Sequence, residues 1–285
     1  MTDWFEVTRR NARSVQTTIG WIFWDPGAVA RYEALGLPGP LGYIASRAAP
    51  LGAAGPEATI AAFGSISPLG IRLAFDLVAQ HTTFAAVWKA RDEAVLAGLR
   101  EHAPAILDPL AELGPALWPV VERLPVAGRV FFAAHLQMPR PTQPVLFGWH
   151  AVNCIREWRG DTHWAVVVAA GLDGVEAGIL HNAWVNYERD WLPKSRGATD
   201  DELERAWGAL EARGLAHRGA VTDAGIALRQ HIEDETDRLT TAPWEFLGEE
   251  RALRFAQEFE PPCEQLLHRV DVTAGPNYQP ASRLR

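Results

Sequence analysis

Lysine is nearly missing from this 285-residue chain: of its 27 basic residues only Lys89 and Lys194 are lysine and the rest are arginine. That bias reflects genomic composition more than chemistry. Cysteine is as scarce. Cys154 and Cys263 stand too far apart for a metal knuckle, and two thiols without a signal peptide favour a reducing cytoplasm over a disulfide framework. No apolar run nears the roughly 20 residues that a membrane span needs. The opening MTDWFEVTRRNARS is acidic and aromatic, not basic then apolar as in a secretory leader. The expectation is a cytoplasmic protein with free thiols and no membrane partner. Also missing are the phosphate loop, the dinucleotide glycine fingerprint, the G-x-S-x-G elbow, His-Glu-x-x-His and Cys-x-x-Cys. The sequence therefore specifies no metal, leaves any cofactor unknown, and argues against a familiar nucleotide-dependent or zinc enzyme.

What is present reads as globular and helical. The chain is 48% apolar and 22% charged, with a formal charge of −8, and is long enough for one large domain or two ordinary ones. Trp4, Val7, Val15, Ile19, Ile22 and Phe23 mark a helical face that Asp25-Pro26-Gly27 ends. Pro26 suits the first position of the next helix and Gly36 its stop. The Gly/Pro/Ala-rich stretch 39–58 leaves room for one short helix around Tyr43–Arg47. Ser67-Pro68 opens another helix, and Thr82 or Thr83 caps FAAVWKARDEAVLAGLREH. Pro104, Pro109, Pro115, Pro119 and Pro125 predict short helical pieces up to Met138, and PRPTQP (139–144) reads as a linker. The organisation expected is a helical region 1–138, a second region 145–245, and an extension 246–285.

REWRGDTHWAV (156–166) carries the densest polar pattern in an apolar setting. The spacing predicts a helix over 145–159, a stop at Gly160, and Asp161 as the cap of the next helix. Arg-Gly-Asp is then punctuation between helices, since nothing suggests the secretion that an adhesive tripeptide requires. Asp173 and Glu176 repeat the device as a capping-box-like start.

The sharpest pattern lies in TDDELERAWGALEARGLAHRGAVTDAGIALRQHIEDETDRL (199–239). Thr199 and Glu202 form a capping box, and Leu203, Ala206, Trp207 and Leu210 supply an apolar face that Gly214 stops. Two short extended pieces flank Arg218-Gly219, a tight-turn pair, and Thr222 caps a final amphipathic helix. This order makes a winged-helix module. LEARGL…VTDAGIALRQHIEDETDRL resembles the end of MarR-type winged helices. More broadly, YIASRAAPLGAAGPEATIAAF, GWHAVNCIREWRGDTHWAVVVAAGLDGVEAGILH and this tail resemble a bacterial family of poorly characterised helix-turn-helix-type proteins, over roughly residues 10–245. The resemblance implies a mostly α protein, a multi-helix N-terminal region followed by a C-terminal winged helix with a small β-hairpin wing. It implies no established reaction. Against DNA stands charge. Residues 199–215, in the place of the groove-reading helix, set Asp200, Asp201, Glu202, Glu204 and Glu211 against Arg205 and Arg213, where phosphates need cations.

Several side chains can carry chemistry. His150, Cys154 and Glu157 fall at i, i+4 and i+7, on one helix face, where they can ligate a metal, form a Cys–His pair, or simply pack. His163 reads as an acid/base or ligand-contacting group held by Asp161 or Arg159, its imidazolium disfavoured in the first turn of a helix. Arg47, beside a Gly/Pro/Ala loop, suits a ligand carboxylate or phosphate, or a bridge between helices. Twelve tryptophans are many for this length, and Trp149, Trp158, Trp164 and Trp184 crowd the central segment, where aromatics line a pocket or fill core. The leading expectation is a protein that binds an apolar or aromatic small molecule and not DNA, with a homodimer possible. Beside it stand a metal-independent enzyme of a specialised pathway, with His163 and Asp161 catalytic, and a ligand-responsive transcription regulator.

Overall fold

A computed structural model describes residues 2–283. The chain runs through α1 (Trp4–Gly20), α2 (Pro26–Glu33), α3 (Pro40–Ala48), α4 (Pro56–Phe63), α5 (Pro68–His81), α6 (Phe84–His102), α7 (Leu107–Arg123) and α8 (Val130–Leu136). It continues through α9 (Pro144–Ala169), α10 (Gly174–Trp184), α11 (Trp191–Ser195), α12 (Asp200–Ala212), a hairpin of β1 (Ala216–His217) and β2 (Ala220–Val221), and α13 (Asp223–Leu239). Two further helices close it, α14 (Ala242–Leu247) and α15 (Glu249–Thr273). The fold is mostly α, with one antiparallel hairpin among the described residues.

Many boundaries follow local chemistry. Asp25 accepts from Gly27 N–H to start α2 behind Pro26, and Thr83 accepts from Ala86 N–H to start α6. Capping boxes open α10 at Asp173/Glu176 and α12 at Thr199/Glu202; each satisfies two orphan N–H groups. In the hairpin, His217 pairs with Ala220, and Arg218 and Gly219 both have positive φ, the geometry of a two-residue turn that matches strand twist.

Two expectations are corrected. Arg159-Gly160-Asp161 is no junction, because α9 runs unbroken for 26 residues, about 39 Å at 1.5 Å per residue. Asp161 caps another element: its carboxylate accepts from Phe132 N–H at 2.8 Å, at the start of α8. Burial on both sides outweighs the roughly 1 kcal/mol that a mid-helix glycine costs. Likewise the prolines do not fragment 107–123. Pro115 and Pro119 lie within α7, four residues apart on its exposed side. The helix survives because Leu110, Leu113, Leu117, Val120 and Val121 are buried on the other side. There α7 crosses α9 at glycines: a Cβ on Gly148 would stand 1.9 Å from the Leu110 carbonyl oxygen.

The buried apolar residues form two clusters that meet along α9. The larger takes Val145 to Trp158 of α9 together with residues of α1 to α7, α14 and α15. The smaller takes Val167 with Leu172, Ile179, Leu180, Leu203, Leu210 and Ile232, from α10, α12 and α13. Among the described residues no single helix is long and apolar enough to cross a membrane.

Candidate functional site

Where the two cores meet, the helices do not close. A cavity of about 660 Å³ lies between α1, α3, α9, α10 and α13, and α15 flanks its mouth. Its size is that of a small-molecule site. Phe63, Trp164, Val167, Leu180, Trp184 and Ile232 give it apolar wall. Arg47, Arg156, Arg159, Arg196 and Arg229 give it cationic wall, with His163 and His181 between. Glu6, Glu260 and Glu264 meet Arg9, Arg10 and Arg13 at the α1 rim.

Four of the inner arginines are held by acids, Arg47 and Arg159 across elements and Arg156 and Arg229 along their own helices. Arg47 reaches Glu157 at 3.1 Å and stacks its guanidinium 4.4 Å over Phe63; Arg156 shares the same carboxylate. Burial opposes ionisation of Glu157, yet Arg156 and Arg47 outweigh it and bring the pKa down to about 2. Across the cavity, Arg159 donates to Glu233 at 2.5 Å and Asp237 at 2.6 Å, and Arg229 donates to Glu233 at 2.7 Å. Arg196 differs. No carboxylate pairs with it among the described residues, and burial pushes its pKa down to about 10, with Tyr43 opposing and Arg47 and Arg229 adding to the shift.

The histidines are neutral. Burial pulls His163 down to about 3, and Arg229, Arg159 and Arg196 add to this while Glu233 opposes. His181 is driven well down by burial and then by Arg229 and Arg196. The tautomer of His163 follows from its neighbour. Thr236 Oγ1 donates its one proton to the Ile232 carbonyl, so it accepts from His163 Nδ1–H at 3.1 Å. Nε2 is left with its lone pair free to accept. His163 lies well inside α9, so burial, with the nearby arginines adding to it, and not a helix terminus, disfavours its imidazolium.

Of the residues singled out from sequence, Arg47, Arg159, His163, Trp164 and Trp184 line this cavity. The others are dispersed. His150 faces α6, with Nε2 3.0 Å from Asp92 and 3.2 Å from Arg91. Cys154 is buried, and burial with Glu157 nearby pushes its thiol up to about 12, so it is protonated and unreactive at neutral pH. Glu157 acts behind the wall as the counter-ion of two arginines. Trp149 donates to the Thr18 carbonyl at 2.9 Å and Trp158 to the Pro125 carbonyl at 3.1 Å, both from within the core. Asp161 holds α8, and burial raises its pKa to about 6. Among the described residues no three His, Cys, Asp or Glu side chains gather in a way that could hold a metal ion. Sequence reasoning missed Arg196, His181, Arg229 and Glu233 as wall residues. Arg229 and Glu233 stand four apart on α13, a spacing that signals an ion pair along the helix and says nothing of a cavity.

The surface of α12 adds a second fact. Arg213 donates to the carbonyls of Ala170 and Gly171, closing the end of α9, and Glu211 accepts from Gly219 N–H in the hairpin turn. Arg205 is then the one basic residue within α12 itself, against Asp200, Asp201, Glu202, Glu204 and Glu211. Neither curated proteins nor solved structures give a match to the chain. A family model does match, over residues 8–273, which takes in both cores, the cavity and the hairpin: the chain belongs to a helix-turn-helix family.

Proposed function

We propose that this protein binds a small molecule in the cavity between its two cores, on a helix-turn-helix scaffold in which α10, α12, the hairpin and α13 form a winged helix. The observation that carries the reading is the cavity itself: an aromatic wall facing buried, oriented arginines and neutral histidines, at a volume that suits a compact organic ligand. Binding is favoured over catalysis because His163, with its pKa near 3, accepts a hydrogen bond well but is a weak base. Trp164 and Trp184 face the cavity, so an occupant alters tryptophan emission. In a screen of aromatic compounds, a ligand at a hundred times its Kd adds about 2.7 kcal/mol of stability. Gly160→Leu, which places a side chain on the cavity-lining face of α9, is expected to abolish both responses. Equal responses in wild type and Gly160→Leu would put the ligand elsewhere.

Family membership favours a second reading, a ligand-responsive regulator that binds DNA through α12. The charge of α12 opposes it: phosphates would meet Asp200, Asp201 and Glu204, and Arg213 is occupied at the end of α9. Counterion release then contributes little. A mobility shift with genomic fragments at low salt separates the two, and a shifted band that vanishes as salt rises would revive the regulator.

A further inference from the structure

The ion pairs of the inner cavity leave one cation over. Arg47 and Arg156 share Glu157, and Arg159 and Arg229 share Glu233, with Asp237 as well for Arg159. Arg196 has no acid partner among the described residues, lines the cavity and is half-buried. Its backbone is fixed on both sides: the Arg196 carbonyl accepts from Ser67 N–H at 2.9 Å, and its N–H donates to the Pro193 carbonyl at 3.1 Å. The chain therefore fixes the backbone that carries this guanidinium, and the charged or ionisable groups that act on it are Tyr43, Arg47 and Arg229. A half-buried charge without a counter-ion is costly.

We propose that Arg196 is the seat of the carboxylate of an aromatic acid, whose ring lies against the wall of Phe63, Trp164 and Trp184. The inference rests on the cavity being a ligand site and names the class of ligand it takes. A guanidinium fork matches a planar carboxylate with two parallel hydrogen bonds. Bound there, the carboxylate supplies the counter-charge that Arg47 and Arg229 do not. Five guanidinium groups exceed three carboxylates by two charges, yet only Arg196 lacks a carboxylate partner among the described residues. A planar carboxylate therefore matches the one open fork, and Glu233 and Asp237 close behind its neighbours oppose the second charge of a phosphate ester.

The test uses three probes of one ring system on the full chain: 2-naphthoate, 2-naphthamide and 2-naphthyl phosphate, titrated by tryptophan fluorescence. Wild type is expected to prefer naphthoate to naphthamide by roughly ten- to a hundredfold, the worth of a charge-assisted hydrogen-bond pair. In Arg196→Gln the ratio falls to about one, with the helical circular dichroism of wild type retained. Equal binding of naphthoate and naphthamide by wild type, or a preference that survives Arg196→Gln, overturns the assignment of Arg196. Tighter binding of the phosphate overturns the monoanion. If none of the three probes binds while the fold is intact, the cavity reading itself fails.

Discussion

Gly160 separates the continuous helix from the junction that its Arg-Gly-Asp context suggests. Within α9 it does not have positive φ, and a Cβ built on it meets nothing nearer than Glu157 Oε2 at 3.8 Å. Gly160→Ala therefore costs no steric energy and gains most of the helix-propensity difference, about 0.5–1 kcal/mol. For a chain of this length that raises Tm by about 1–3 °C. A glycine serving as a helix stop would need the left-handed region, and alanine there would lose about 1 kcal/mol instead. The opposite signs make the measurement decisive. Gly148→Ala is the control on the same helix: its Cβ would overlap the Leu110 carbonyl oxygen, and overpacking of this kind costs about 3 kcal/mol or more. Scanning calorimetry or urea titration of both variants is the assay. A loss of stability of 1 kcal/mol or more in Gly160→Ala would refute a continuous α9.

Four further outcomes are expected. Arg196→Gln, by relieving repulsion from Arg47 and Arg229, raises Tm of the ligand-free protein; a marked drop would mean that Arg196 has a structural partner. Glu157→Gln leaves Arg47 and Arg156 buried without a counter-ion and costs about 3–5 kcal/mol, seen as a lower urea midpoint; a change within 1 kcal/mol would remove Glu157 from that role. Burial lowers His135 to about 4 and His163 to about 3, so the unfolded chain takes up protons near pH 6.5 that the folded chain refuses. Stability is then full above pH 6.5 and falls toward pH 4 by up to about 1.4 kcal/mol per pH unit per histidine, and urea midpoints that stay level from pH 6.5 to 4.5 would contradict it. Asp161, raised to about 6, acts in the opposite sense: its folded form keeps a proton that the unfolded chain releases near pH 4. Asp161→Asn should therefore stabilise at pH 7 by on the order of 1 kcal/mol while still accepting from Phe132, and a loss of stability would show that the ionised carboxylate is required there.

Sequence legibility followed the range of the forces involved. Thr83, Asp173, Thr199 and Thr222 act within three residues of themselves, so the starts of α6, α10, α12 and α13 were readable from capping chemistry. The Arg218-Gly219 turn is as local. Where a local signal met a larger tertiary term, the local signal lost. Gly160-Asp161 and Pro115/Pro119 are breakers by propensity, yet α9 and α7 continue through them because each buries an apolar stripe against the other. Pro261 and Pro262 sit inside α15 in the same way, with Phe255, Phe259, Cys263 and Leu266 buried.

The cavity lay further out of reach, for a related reason. The spacing of His150, Cys154 and Glu157 puts them on one face of a single helix, but periodicity says nothing about what arrives opposite. Asp92 from α6 takes His150, and Arg47 from α3 takes Glu157, 110 residues away. Arg47, His163 and Trp164 were found because a polar or bulky group beside a small-residue loop or within an apolar helix is conspicuous by itself. Arg196 is not conspicuous: it follows α11 in a polar turn and reads as a solvated cation. Its meaning comes from a shortage, five guanidinium groups around three carboxylates, and a shortage can be counted only after folding has paired the rest. The same chain spends its acids on the surface of α12, where a DNA-binding helix would want none, while leaving one cation without a carboxylate partner in the cavity wall. That distribution favours an anion inside the protein over a polyanion outside it.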